Sequence, residues 1–216
     1  MGYVELNADP YSSHMRLLDL CGSPGVVVDA GGSSGYVSMA LAQRGARVIV
    51  VDNDESAIRE AVAEGREAHL VDLSIAAPDL PAGSVDLLIL ADVLEHIADP
   101  AAALRRLRPL LAAGGRLVAS VPNGANWALR LQLLAGRWQY TERGLLDRTH
   151  VRNFTRRSFH ATLHEGGFEV LSTDLTCPIP LFRGGRLSAA AYHVGKLRPG
   201  LFAYQHIAAA RPRAAA

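Results

Sequence analysis

The chain has 216 residues, 49% of them hydrophobic, which is enough to bury one good-sized core and demands no second domain. Its 22 basic and 21 acidic side chains leave a formal net charge of +1, so there is no global electrostatic footprint for nucleic acid or an anionic membrane, and any basic patch must be local. No apolar run reaches membrane-spanning length, the first residues, with Glu5 and Asp9, lack a signal peptide's plan, and Cys21 and Cys177 stand far apart without metal-ligand neighbours; the expectation is a cytoplasmic protein with free thiols, no membrane span and no metal site.

Ser12 or Ser13 can cap a short helix that turns Met15, Leu17, Leu18, Leu20 and Cys21 toward the core and is expected to lie across a ligand cleft. His14 at its start reads either as a ligand contact or as a surface histidine near a helix terminus. Val26-Val27-Val28-Asp29-Ala30 then reads as a strand covered on both faces, punctuated by Pro24-Gly25 and Gly31-Gly32. Its glycine-rich turn, through Ser33, Ser34 and Gly35, leads into a helix expected from Tyr36 to Arg44, and such a turn lets backbone N–H groups approach a ligand closely. A dinucleotide fingerprint needs glycine at the first, third and sixth positions, but counting from Gly31 these are Gly31, Ser33 and Tyr36. What stands there instead is D-x-G-x-x-x-G, from Asp29 to Gly35.

Beyond Gly45, Arg47 to Asp52 reads as a second buried strand, and Asp54 as the cap of a helix from Glu55 to Glu64. Asp52 lies about twenty residues past the glycine turn, where an open α/β sheet places a carboxylate for ribose hydroxyls. Glu67 to Leu73 reads as a third strand containing Asp72, which could equally be a loop acid before Ser74. The fourth strand, Val85 to Ala91, is followed by D-V-L-E-H-I-A-D-P, in which Asp99 and Pro100 open a helix expected to run to Leu111. Gly114-Gly115 introduces a fifth strand, Arg116 to Val121. A helix from Thr155 to Glu165, a sixth strand from Phe168 to Asp174 and a seventh from Leu201 to Arg211 complete the elements, with Pro212 to Ala216 read as disordered.

The connection over residues 123–154 is longer than a plain αβ loop requires. It holds a short amphipathic helix expected from Ala125 to Leu134 and both tryptophans, Trp127 and Trp138. Between Asn123 and Arg157, seven arginines face two acids, Glu142 and Asp147. Arginine and aromatic side chains together can hold a sugar, phosphate or carboxylate, or stack on a base. Trp127, Trp138, Tyr140, Arg148 and Arg152 are therefore the candidate substrate-binding residues, with a homodimer interface as the alternative for the same residue types. His150 is the candidate general base, because an imidazole can be neutral near pH 7 and take up a proton; Asp147 would hold it. His96 is the other candidate, and a structural hydrogen bond that anchors the loop is the alternative role for His150.

The strand followed by D-x-G-x-x-x-G resembles the first motif of class I S-adenosylmethionine-dependent methyltransferases, although family members commonly carry glycine where this chain has Ser33. D-V-L-E-H-I-x-D-P resembles the stretch after strand four in their small-molecule branch. G-L-L-D-R-T-H-V-R-N-F-T, together with Leu201 to Gln205, resembles bacterial members that accompany glycan and secondary-metabolite biosynthesis. The resemblance covers nearly the whole chain. It implies a single α/β domain over residues 1–216, a Rossmann-like, doubly wound, seven-stranded sheet of order 3-2-1-4-5-7-6 with the last strand antiparallel, and a helical cap at 123–154. It further implies S-adenosyl-L-methionine as cofactor, S-adenosyl-L-homocysteine as product, and a cofactor site at Asp29, Gly31, Gly35, Asp52, Asn53, Asp72, Leu73 and Asp92, with His14 nearby. Asp72 would lie beside the adenine. The expected acceptor is a hydroxyl or amine of a small molecule: a sugar, glycan precursor or secondary metabolite. Local arginines keep an RNA methyltransferase open against the near-zero net charge, and a non-catalytic cofactor-binding protein is the rival from another class.

Overall fold

The runs Val26-Val27-Val28 and Leu87-Leu88-Ile89-Leu90 put apolar side chains on both faces of a strand, so a sheet built from them must be covered twice. The computed structural model, which describes residues 7–33, 35, 37–178 and 185–214, has that arrangement. Seven strands, β1 (Val26–Ala30), β2 (Arg47–Asp52), β3 (Glu67–Leu70), β4 (Val85–Ala91), β5 (Leu111–Pro122), β6 (Phe168–Thr176) and β7 (Gln205–Pro212), form one sheet in the order β3-β2-β1-β4-β5-β7-β6. Neighbours from β3 to β5 pair in parallel, and β7 runs antiparallel to both β5 and β6. Order and orientation are those expected.

Alternation along the strands divides the core. Val28, Ala30, Leu88 and Leu90 pack with Leu104 and Leu107 of α4 (Pro100–Leu107) and with Phe159 and Leu163 of α6 (Arg156–Glu165). Val27, Leu87 and Ile89 face the other way, toward Leu17, Leu18 and Cys21 of α1 (Ser13–Cys21) and Leu41 of α2 (Met39–Ala42). α3 (Glu55–Ala63) buries Ala57, Ile58 and Ala61 beside β2 and β3. The remaining helices are α5 (Trp127–Leu134), α7 (Gly185–Leu197) and α8 (Pro199–Phe202). Among the described residues, no helix is long and apolar enough to cross a membrane.

Several boundaries differ from expectation, each for a local reason. Ser12 caps α1 through its side chain, but the helix packs on the sheet against β5, β6 and β7 rather than across a cleft. The helix expected from Tyr36 is the single turn α2; bonds from i to i+3 mix with those from i to i+4 around it, and Gly45, at φ +96°, closes it. Tyr36 and Ser34 lie outside the described residues, as does Glu5. β3 stops at Leu70, so Asp72 and Leu73 are past the ladder. α4 ends at Leu107 and tightens into a 3-10 turn over Arg108–Leu110, because Pro109 lacks an N–H and disfavours helix at the residue before it. β7 begins at Gln205 rather than Leu201, since Pro199 starts α8 and the Asn123 and Asn126 side chains hold the Ala203 carbonyl, each at 2.8 Å. At the other end Pro212 pairs with Phe168, and the Arg213 N–H donates to the Gly167 carbonyl at 2.8 Å, so these two residues are ordered where disorder was expected. Ala215 and Ala216 lie outside the described residues.

Candidate functional site

The carboxyl ends of β1, β2 and β4 converge on the glycine turn. Gly31 and Gly35 sit at φ +76° and +82°, and an added Cβ would stand 2.4 Å from Val93 Cγ2 at the first and 2.6 Å from Val50 Cγ2 at the second. Only glycine fits both positions. Ser33 between them also adopts a left-handed backbone, φ +52°, which explains why a glycine at its place is the common solution. Its N–H donates to Asp52 Oδ2 at 2.7 Å, while the Asp54 N–H donates to Oδ1 at 2.9 Å. A carboxylate offers about four lone-pair sites, so each Asp52 oxygen retains acceptor capacity.

Asp29 lies beneath this turn. It is buried, its Oδ2 has no hydrogen-bond partner among the described residues, and a Cβ at Gly32 would collide with its carboxylate. Burial, with a smaller contribution from the Asp52 charge, outweighs the Ser38 hydrogen bonds and pushes its pKa up to about 6. A buried carboxylate with one unpartnered oxygen under a glycine turn suits a ligand with positive charge.

The other expected cofactor residues divide. Asp92 stands at the end of β4 at φ +55°, but both of its oxygens are engaged: Ser120 Oγ donates to Oδ1 at 2.9 Å and Gln205 Nε2 to Oδ2. Exposed Asp72 accepts from the Ser74 N–H at 2.8 Å, a local turn of the kind that competed with the adenine reading. Leu73 is buried in the core and Asn53 is exposed. His14 Nδ1 accepts from the Asn7 N–H at 2.9 Å, which ties it to the segment before α1.

The chain after β4 meets the chain before α6. Val93 lies against Gly31, and a 3-10 turn over Leu94–His96 follows. The His96 and His150 rings meet edge-on with centroids 5.0 Å apart, and the Glu95 carbonyl accepts from the Val151 and Arg152 N–H groups, each at 3.0 Å. Asp147 does not hold the His150 ring with its side chain as expected: Oδ1 accepts from the Thr149 N–H at 2.9 Å and Thr149 Oγ1 at 2.7 Å. The carboxylate grouped with the two imidazoles is Glu95, buried at 1% exposure and absent from the candidates drawn from the sequence. Its place next to His96 in the motif was the available signal. Burial, followed by the nearby His96, lowers the His150 pKa despite the opposing influence of Asp147 and of a ring hydrogen bond to the Leu145 backbone.

Of the cap residues, Trp127, Trp138 and Tyr140 are all substantially exposed. Arg148 is paired with Glu142, so it is not an uncommitted cation. Arg152 Nε donates to the Ala98 carbonyl at 2.6 Å, at the edge of a cleft of about 510 Å³ between Ala98 and Val151–Phe154; among the described residues, none of the glycine turn lines it.

A family profile described as a methyltransferase domain matches residues 6–173 of the chain. Over 157 residues the chain is 30% identical to the tRNA 5-carboxymethoxyuridine methyltransferase of Escherichia coli, covering 67% of this chain and 60% of that protein. Over 138 residues it is 33% identical to a ubiquinone biosynthesis O-methyltransferase of Xanthomonas oryzae pv. oryzae, covering 62% and 56%. The chain thus spans less than two thirds of either relative. In fold it is similar to the Burkholderia thailandensis 1,6-didemethyltoxoflavin-N1-methyltransferase, solved with S-adenosylhomocysteine bound, at TM-score 0.60 and 18% identity over 93% of this chain and 76% of that one.

Proposed function

The chain belongs to the methyltransferase-domain family, and on that basis we propose that it is a cytoplasmic S-adenosylmethionine-dependent enzyme that methylates a hydroxyl, or an amine, of a small acceptor such as a sugar, glycan precursor or secondary metabolite. The observation that carries this reading is the glycine turn with the unpartnered Oδ2 of buried Asp29 beneath it. Its unpartnered oxygen, and the floor that any Cβ would fill, fit a cationic, zwitterionic cofactor. Asp52 would accept the ribose hydroxyls, Asn53, Asp72 and Leu73 would border the adenine, and Asp92 would brace the site between β4 and β5. When bound, S-adenosylmethionine supplies an electrophilic methyl on its sulfonium. The chain's part is to align the acceptor in line with that methyl, exclude water and remove the acceptor's proton. The cap at 123–154 would select the acceptor through Trp127, Trp138, Tyr140, Arg148 and Arg152, and the Glu95, His96 and His150 cluster would activate the acceptor's hydroxyl.

Replacing Asp52 tests the cofactor site. Asp52→Ala removes a charge-assisted acceptor worth about 1.5 to 3 kcal/mol, so S-adenosylhomocysteine should bind about tenfold or more weakly by calorimetric titration. Unchanged affinity removes Asp52 from the site. Transfer of labelled methyl to pooled small hydroxyl and amine acceptors, run beside total tRNA, tests the acceptor class. The tRNA arm is warranted by the E. coli relative and the arginine-rich cap, and RNA binding that weakens steeply with salt would favour it.

A further inference from the structure

Glu95 is all but fully buried, and neither of its carboxylate oxygens has a hydrogen-bond partner among the described residues. A buried carboxyl group in that state is rare and calls for an explanation. Beside it, one ring nitrogen each of His96 and His150 and a carboxylate oxygen of Glu95 all lie within 4.8 Å of one another. The His96 ring is already oriented. His96 Nδ1 is 3.1 Å from the Thr149 carbonyl, which can only accept, so Nδ1 carries the proton and Nε2 keeps a lone pair. Donating the spare N–H to a backbone carbonyl is the arrangement that orients histidines around an ion. His96 is exposed and His150 half-buried, so the cluster is open on the side away from Glu95.

We propose that Glu95, His96 and His150 bind one zinc ion, whose open position takes the oxygen of the acceptor. The ion's role in the reaction rests on the methyl-transfer reading; its binding does not. Two imidazoles and a carboxylate with a free fourth position are a donor set for zinc, whereas magnesium and calcium take oxygen ligands. Ligand atoms around tetrahedral zinc stand about 3.4 Å apart, so the three groups need to close by little more than about 1 Å. The ion would neutralise the buried carboxylate and lower the pKa of an acceptor hydroxyl. Its proton would leave to water, its oxygen would form the new C–O bond as the S–C bond breaks, and that electron pair would stay on sulfur. The sequence held no metal-ligand spacing because His150 is distant in the chain and joins Glu95 and His96 only through the fold.

The test is zinc binding to chelator-stripped protein, read by competition with a chromophoric chelator and by metal analysis after gel filtration. The expected result is one zinc per chain in the wild type, with affinity falling about 100-fold or more in Glu95→Gln and in His96→Ala. His164→Ala and the double variant Cys21→Ser with Cys177→Ser should retain the zinc. Glu95→Gln is nearly isosteric and His96 is exposed, and circular dichroism checks that both variants fold. A wild type that takes up no zinc, or zinc that survives Glu95→Gln and His96→Ala in folded protein, overturns the proposal. Zinc bound through these residues without methyl transfer to any acceptor would uphold the site and remove the function assigned to it. Full methyl transfer by stripped protein that takes up no zinc would overturn the proposal and leave the methyl-transfer reading standing.

Discussion

Ser33 is held at φ +52° by a bond from its own N–H to Asp52, a conformation that a β-carbon disfavours by about 1 kcal/mol. Ser33→Gly should therefore raise stability by about that amount in urea unfolding, whereas Gly31→Ala drives a Cβ into Val93 and should destabilise or distort the turn. Asp29 offers a sharper readout. Its pKa of about 6 means that the carboxyl is neutral at pH 5 and mostly ionised at pH 7. A cationic ligand favours the ionised form, so S-adenosylmethionine affinity should rise between pH 5 and 7, by up to about tenfold per unit below pH 6, and Asp29→Asn should flatten that dependence. Identical pH dependences in wild type and variant would detach Asp29 from the ligand. The acids at 29 and 52 were legible because each closes a strand next to glycine or a helix cap. Glu95 was not, because its significance lies in a histidine that only the fold brings beside it.

Among the elements, α5 buries only Leu129, and Leu134 remains 84% exposed. An apolar helix so little covered has surface left for an acceptor or another protein chain. Trp138→Ala should raise the acceptor KM, or lower turnover, with S-adenosylhomocysteine affinity nearly intact. Loss of an oligomer in gel filtration with acceptor kinetics unchanged would assign the cap to an interface instead. Trp138 is a cleaner probe than Arg148, whose removal also strands Glu142. α7 was missed in the sequence because its buried stripe is Ser188, Ala191, Tyr192 and Gly195, in which only Tyr192 is bulky and little hydropathic signal marks the helical spacing. A Cβ at Gly195 would press on Leu175 and Cys177, so close approach at Gly195, together with Tyr192 packed on Leu175, seats this helix on β6.

At the scale of the whole molecule, glycine punctuation and apolar runs disclosed the α/β alternation, but the order of strands came from family resemblance, since nothing local says that β7 inserts between β5 and β6. The insertion buries a polar network. Asp174 of β6 accepts from Arg16 of α1 and Tyr192 of α7, tying three distant segments together. It also buries His206 on β7, at 3% exposure, with Nε2 unpartnered among the described residues. Burial, reinforced by Arg156 and His160, lowers the His206 pKa to about 4, against about 6.5 in an unfolded chain. The unfolded state therefore takes up this proton first as the pH falls. The stability due to neutral His206 is fully present above about pH 6.5 and is lost toward pH 4, to the extent of about 3 kcal/mol. Asp29 acts with the opposite sign in part of the same window: its raised pKa lets the folded state bind a proton first, so acidification relieves the cost of its ionisation. The wild-type curve alone mixes the two, and only a comparison with a variant separates them. Urea unfolding of wild type and His206→Gln at pH 7 and pH 4.5 should show the wild type losing about 2.5 kcal/mol more than the variant. Parallel losses would mean that His206 titrates in the fold as it does in the unfolded chain.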